Sequence, residues 1–105
     1  MISSTPKPPY YAVIFTSIRT SDDIGYESVA NRMVNLAQIQ PGFLGLESAR
    51  EDNAIGITVS YWQDLESISK WKNNVEHTEA QNNGKQKWYE HFKVRISKVE
   101  RDYGF

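Results

Sequence analysis

The stretch Tyr10-Tyr11-Ala12-Val13-Ile14-Phe15-Thr16-Ser17-Ile18-Arg19 decides how this chain folds. Its β-branched and aromatic residues are those of a strand. Side chains alternate across a strand, so one face carries Tyr11, Val13 and Phe15 and the other Ala12, Ile14 and Ile18. Both faces are apolar. A strand of this kind is buried on both sides, which calls for a covering layer on each face of its sheet.

Working outward, Thr20 to Asp23 is a polar break in which Asp22 or Asp23 is placed to cap a helix. Tyr26, Val29, Ala30, Met33, Leu36 and Ala37 then recur at three- and four-residue spacing, the stripe of an amphipathic helix. It is expected to end near Gln40, because Pro41 cannot continue it and Gly42 follows. Phe43–Arg50 reads as a second strand and Ile55–Trp62 as a third, and the turn signal Glu51-Asp52-Asn53 makes them a hairpin.

Asp64 caps a second helix with Leu65, Ile68, Trp71 and Val75 on one stripe. A bend is expected near Asn73-Asn74. Helix resumes around Glu76 and passes His77 and Ala80, with Asn82-Asn83-Gly84 weakening it and Trp88 and Tyr89 packing at its end. Phe92, Val94 and Ile96 form the last strand, with Val99 across a bulge.

The order β–α–β–β–α–β is the ferredoxin-like α+β pattern. Pro6, Pro8 and Pro9 make residues 1–9 an extended, flexible lead-in to a domain spanning 10–105. Two helices cover one sheet face and leave the other bare. An exposed apolar face of that size is rare in a monomer, and a second copy related by a two-fold axis covers it most simply. A homodimer is therefore expected, with sheet facing sheet. Alternation sends one of Tyr61 and Trp62 toward the helices and the other toward the partner; the sequence does not say which.

Composition narrows the function classes. The chain has 105 residues, 39% hydrophobic and 24% charged, which suits one folded domain. A net charge of −1 offers no general attraction to nucleic acid or to an acidic membrane surface. The sequence has no cysteine, which removes disulfides, thiolate nucleophiles, zinc–thiolate sites and iron–sulfur clusters and fits a cytoplasmic location. No apolar run is long enough to span a bilayer, and the N-terminus lacks the pattern of a signal peptide. His77 and His91, fourteen positions apart and without clustered carboxylates, are poor metal ligands by spacing. No glycine-rich phosphate loop and no recognisable nucleophile setting is present.

The second half carries a more specific pattern. Pro41-Gly42-Phe43 leads into the second strand, and Tyr61-Trp62-Gln63-Asp64-Leu65-Glu66 joins the third strand to its helix. Trp71, His77 and Ala80 lie along that helix, and Lys87-Trp88-Tyr89 precedes Phe92-Lys93-Val94-Arg95. In order and spacing this run, over residues 10–103, resembles the antibiotic biosynthesis monooxygenase family of dimeric α+β barrel proteins. The resemblance implies a dimeric barrel. It also implies an oxygenase working on an aromatic phenol with no metal, flavin or haem, since some members of that family do this. Others degrade haem.

The quinone-forming members use a helix tryptophan, an asparagine one turn earlier and a tyrosine about two turns later. Trp71 matches the tryptophan, Ser67 stands at the asparagine position and His77 at the tyrosine position. The resemblance thus implies catalytic roles for His77 and Trp71, with Tyr61, Trp62, Phe15 and Ser67 around a small apolar or aromatic ligand. A histidine can accept a phenolic proton because its pKa lies near neutrality. The haem-degrading branch needs an axial histidine about ten residues after the tryptophan and an asparagine on the first strand. Gln81 stands near the first position, and the first strand has no asparagine.

Each of these residues has a second reading. His77 lies beside Glu76 and Glu79 and can be a helix histidine bonded to a carboxylate. Trp71 shares its stripe with Leu65 and Ile68 and can be core. Arg50 and Arg95 can hold an anionic substrate or form solvated ion pairs. Three functions are consequently in play: a cofactor-independent monooxygenase acting on a small aromatic or quinol-like compound, a non-catalytic module that binds such a compound, and a haem-degrading enzyme.

Overall fold

The computed structural model of the chain describes residues 2–19, 26–52, 55–82 and 89–105, and for 26–29, 76–82 and 89–90 the backbone alone. The element order is β1 (Tyr10–Arg19), α1 (Tyr26–Gln38), β2 (Phe43–Arg50), β3 (Ile55–Trp62), α2 (Leu65–Asn82) and β4 (Tyr89–Val99). The strands form one antiparallel sheet in the order β2-β3-β1-β4, the ferredoxin-like arrangement expected from the sequence. The expected caps Asp22 and Asp23, and Trp88 at the end of the second helix, lie outside the described residues.

Register assigns the faces. Tyr11 lies opposite Trp62, Val13 opposite Ser60, Phe15 opposite Thr58 and Ser17 opposite Gly56. On β4 the same face carries Phe92, Val94 and Ile96. Because Trp62 stacks on Trp71 of α2, this is the helix-bearing face. Tyr61 therefore projects from the other face, with Ala12, Ile14, Thr16, Ile18, Ile55, Ile57 and Val59. The core gathers around Trp62, Ile68 and Ala37 on the helix side and Tyr10 and Ala12 on the open side.

Three local expectations need correction. α2 runs unbroken through Asn73-Asn74, because asparagine costs a helix only tenths of a kcal/mol. Asn74 also gains a tertiary tie there: its Nδ2 donates to Gln40 Oε1 at 3.2 Å. α1 ends at Gln38, near Gln40 as expected, and a turn follows in which Gln40 N donates to Ala37 O at 3.0 Å. Tyr89 belongs to β4, opposite Arg19, and not to the helix end. The strand irregularity falls at Ile18/Arg19, while Val99 pairs in register with Tyr10.

The open face is apolar at the end where β1 finishes and β3 begins. Ile18, Ile55 and Ile57 are 36%, 46% and 43% exposed there. Its other end is occupied by the chain's own termini. Ser3 Oγ accepts from Leu46 N at 2.9 Å and donates to Leu46 O at 3.1 Å, so the lead-in is tied to the outer edge of β2. Tyr10 donates to Asp102 at 2.5 Å and Thr5 donates to the Tyr10 oxygen at 3.1 Å, which ties both termini to β1.

Candidate functional site

The helix-bearing face brings three aromatic rings together where β3 meets α2. Trp62 closes β3, and the chain turns directly into α2 through Gln63 and Asp64. Asp64 Oδ1 accepts from Ser67 N at 2.8 Å, the capping geometry expected from the sequence. Hydrogen bonds from the Ser67 side chain and backbone hold the Asp64 carboxyl below the usual carboxylate range. That start fixes the phase of α2 and sets Trp71 two turns along, over Trp62.

The Trp62 and Trp71 rings are stacked with centroids 6.0 Å apart and planes 27° apart. Phe43, the first residue of β2, meets Trp62 edge-on at 5.4 Å. Trp62 is completely enclosed, whereas Trp71 is half-buried. A ligand at this joint therefore meets the indole of Trp71, and Trp62 backs it from behind. Farther along the same face, Phe15 stacks on Phe92 at 5.6 Å. Beyond Phe92, the apolar floor of Val94 and Ile96 is 45% and 53% exposed.

Ser67 has two structural contacts. Its hydroxyl serves the Asp64 cap, and it fills the space beside Gly42, whose φ of +84° turns the chain from α1 into β2. Gln63 N donates to Gly42 O at 2.8 Å and closes the same joint. Tyr61 stands across the sheet from Trp62 and donates to Glu47 at 2.7 Å. Burial, then the adjacent Glu47 carboxylate, pushes the Tyr61 phenol up to about 12. The hydrogen bond from Tyr61, and then that from Ser3 N, lowers the Glu47 carboxyl.

Of the residues singled out from the sequence, Trp71, Trp62 and Phe15 share the helix-bearing face. Ser67 sits at its rim, in the cap. Tyr61 is on the opposite face. His77 follows Trp71 by six residues on α2, and its side chain lies outside the described residues. Arg50 turns inward to Ser17, donating to its carbonyl at 3.4 Å and to its hydroxyl. Sequence reasoning missed Ser60 and Phe43. Ser60 was findable, because two residues back on a strand is the same face. No group of three or more potential metal-ligating side chains comes together among the described residues. No described helix is long and apolar enough to cross a membrane. A cleft of about 380 Å³ between the termini is lined by Lys7, Pro8 and Glu100 to Tyr103, and none of the three aromatics borders it.

Known proteins give this arrangement a family. The model of the family described as antibiotic biosynthesis monooxygenase matches residues 9–83, from just before β1 through α2. The uncharacterized protein YqjZ of Bacillus subtilis (strain 168) is 52% identical over 100 residues, covering 95% of this chain and 88% of that protein. Among solved structures, a mutant of SnoaB, a cofactor-independent oxygenase from Streptomyces nogalater, superposes with a TM-score of 0.72 at 14% identity, covering 89% of this chain and 95% of that one. A Pseudomonas aeruginosa protein superposes with a TM-score of 0.69 at 17% identity, covering 93% and 99%. At such identities the structures speak for the fold alone, but the family model spans most of the domain, including the Trp62–Trp71 joint: the chain belongs to the antibiotic biosynthesis monooxygenase family.

Proposed function

We propose that this protein is a cofactor-independent monooxygenase that acts, as a cytoplasmic homodimer, on a small aromatic or quinol-like compound. The observation that carries the reading is the half-buried Trp71, held against the enclosed Trp62 in a chain of this family. A flat indole fixed from behind binds a flat ring by stacking. The likeness to a cofactor-independent oxygenase supports the same direction. The exposed Ile18, Ile55 and Ile57 support the dimer, because they form the apolar patch that a second copy covers.

In this reading His77 takes the phenolic proton of the substrate. The resulting phenolate is electron-rich enough to pass one electron to molecular oxygen. The radical pair then joins, one oxygen atom stays on the ring, and the other leaves as water with the quinone as product. Trp71 and Phe15 hold the ring during this sequence. His77→Ala is the test of the base: turnover collapses with the fold retained, and full activity in that variant refutes the role.

One observation favours a second reading, a module that binds such a compound without converting it. Ser67, at the position of the oxygenases' asparagine, is engaged in the Asp64 cap and against Gly42. Oxygen consumption separates the two readings.

A further inference from the structure

Ser60 and Trp62 are two residues apart on β3 and share the helix-bearing face. Trp62 Nε1 donates to Ser60 Oγ at 2.9 Å, and both residues are buried. An enclosed indole cannot take its hydrogen bond from water, so its N–H needs a partner inside the protein. Ser60 is that partner. Trp62 is then held from three directions: at Nε1 by Ser60, on one face by Trp71 and by the Phe43 ring at 83°. Since Trp62 is 0% exposed, no ligand reaches it; its orientation acts on a ligand through Trp71.

We propose that Ser60 is a positioning residue that locks Trp62 and thereby fixes the plane of Trp71. The proposal rests on the reading that Trp71 touches the ligand. A fixed indole plane binds a flat ring at a smaller entropic cost than an indole free to rotate. Removing the hydroxyl leaves the enclosed N–H unpaired, and the ring relieves this by turning.

The test uses the full-length protein, near-ultraviolet circular dichroism and titration with 1,4-naphthoquinone. Two indoles stacked this closely give an exciton couplet, and Trp71→Phe assigns it by abolishing it. Ser60→Ala is expected to diminish the couplet and to weaken naphthoquinone binding about five- to tenfold, the worth of one buried hydrogen bond. Ser60→Thr, which keeps the hydroxyl, is expected to restore both. An unchanged couplet and affinity in Ser60→Ala overturns the proposal, as does an equal loss in Ser60→Thr, which would make volume and not the hydroxyl decisive. If Trp71→Phe binds naphthoquinone as tightly as the wild type, the underlying reading of Trp71 fails instead, and the couplet still decides whether Ser60 locks the pair.

Discussion

Ser67 Oγ occupies the space that a side chain on Gly42 would fill: a Cβ built there falls inside contact distance of both Ser67 Oγ and Ser67 Cβ. The α1–β2 turn and the first turn of α2 are thus packed as one unit. Gly42→Ala meets two penalties, a left-handed φ of +84° and this collision. It is expected to cost about 2–4 kcal/mol in denaturant unfolding. Made in a Ser67→Gly background, which lacks the collision, Gly42→Ala should cost only the roughly 1 kcal/mol due to φ. An equal cost of Gly42→Ala with and without Ser67→Gly would contradict the contact.

Trp62 is the enclosed centre of the helix-side core. Trp62→Leu removes its stacking with Trp71 and its contact with Phe43. A loss of about 2–4 kcal/mol is expected by chemical denaturation. Trp71→Phe, at a half-buried ring, should cost less than half of that.

The open face predicts the assembly. Ile57 is 43% exposed between Ile55 and Val59 on β3. Ile57→Glu places a charge in the patch and should convert a dimer to a monomer with the circular dichroism spectrum unchanged, as read by sedimentation. A wild type that sediments as a monomer at the same concentration refutes the dimer.

Glu47 links acidity to the N-terminal lead-in. Its carboxyl is lowered by the hydrogen bonds from Tyr61 and Ser3. A depressed carboxyl contributes stability that is fully present above its unfolded value of about 4.3 and is lost as pH falls through its lower folded value. The protection factor of the Leu46 amide, which donates to Ser3 Oγ, should therefore fall on acidification below about pH 4 when its exchange is referred to the unfolded chain at the same pH. In Glu47→Gln that protection should already be lower at neutral pH and flat through that window. A wild-type profile in Glu47→Gln would show that the carboxylate does not hold the lead-in.

How much of this was legible in the sequence follows from what each signal fixes. The doubly apolar Tyr10–Arg19 stretch and the alternation of Ile55–Trp62 report periods, and a period identifies a strand without its neighbours. That was enough for the strands and the order of elements along the chain, and the polar residue before the second apolar stripe was enough for the Asp64 cap. The same alternation places Tyr61 and Trp62 on opposite faces but not on known ones, because only the packing of Trp71 on Trp62 distinguishes the faces. The Asn73-Asn74 pair misled for a related reason: local propensity is worth tenths of a kcal/mol, and the Asn74–Gln40 contact is tertiary. Ser67 read as a site residue from the family resemblance, while its engagement with Gly42 depends on a turn left-handed at a single residue.

The central claim is oxygenation at Trp71, and oxygen uptake tests it most directly. The purified protein is offered a panel of hydroquinones and naphthols under isotopically heavy oxygen gas. The account predicts protein-dependent uptake, one heavy oxygen atom in the quinone product, and about a tenfold fall in kcat/KM for Trp71→Leu, roughly the 1.4 kcal/mol of one lost stacking contact. Measurable binding of the same compounds without any oxygen consumption would contradict it and leave the protein a binding module.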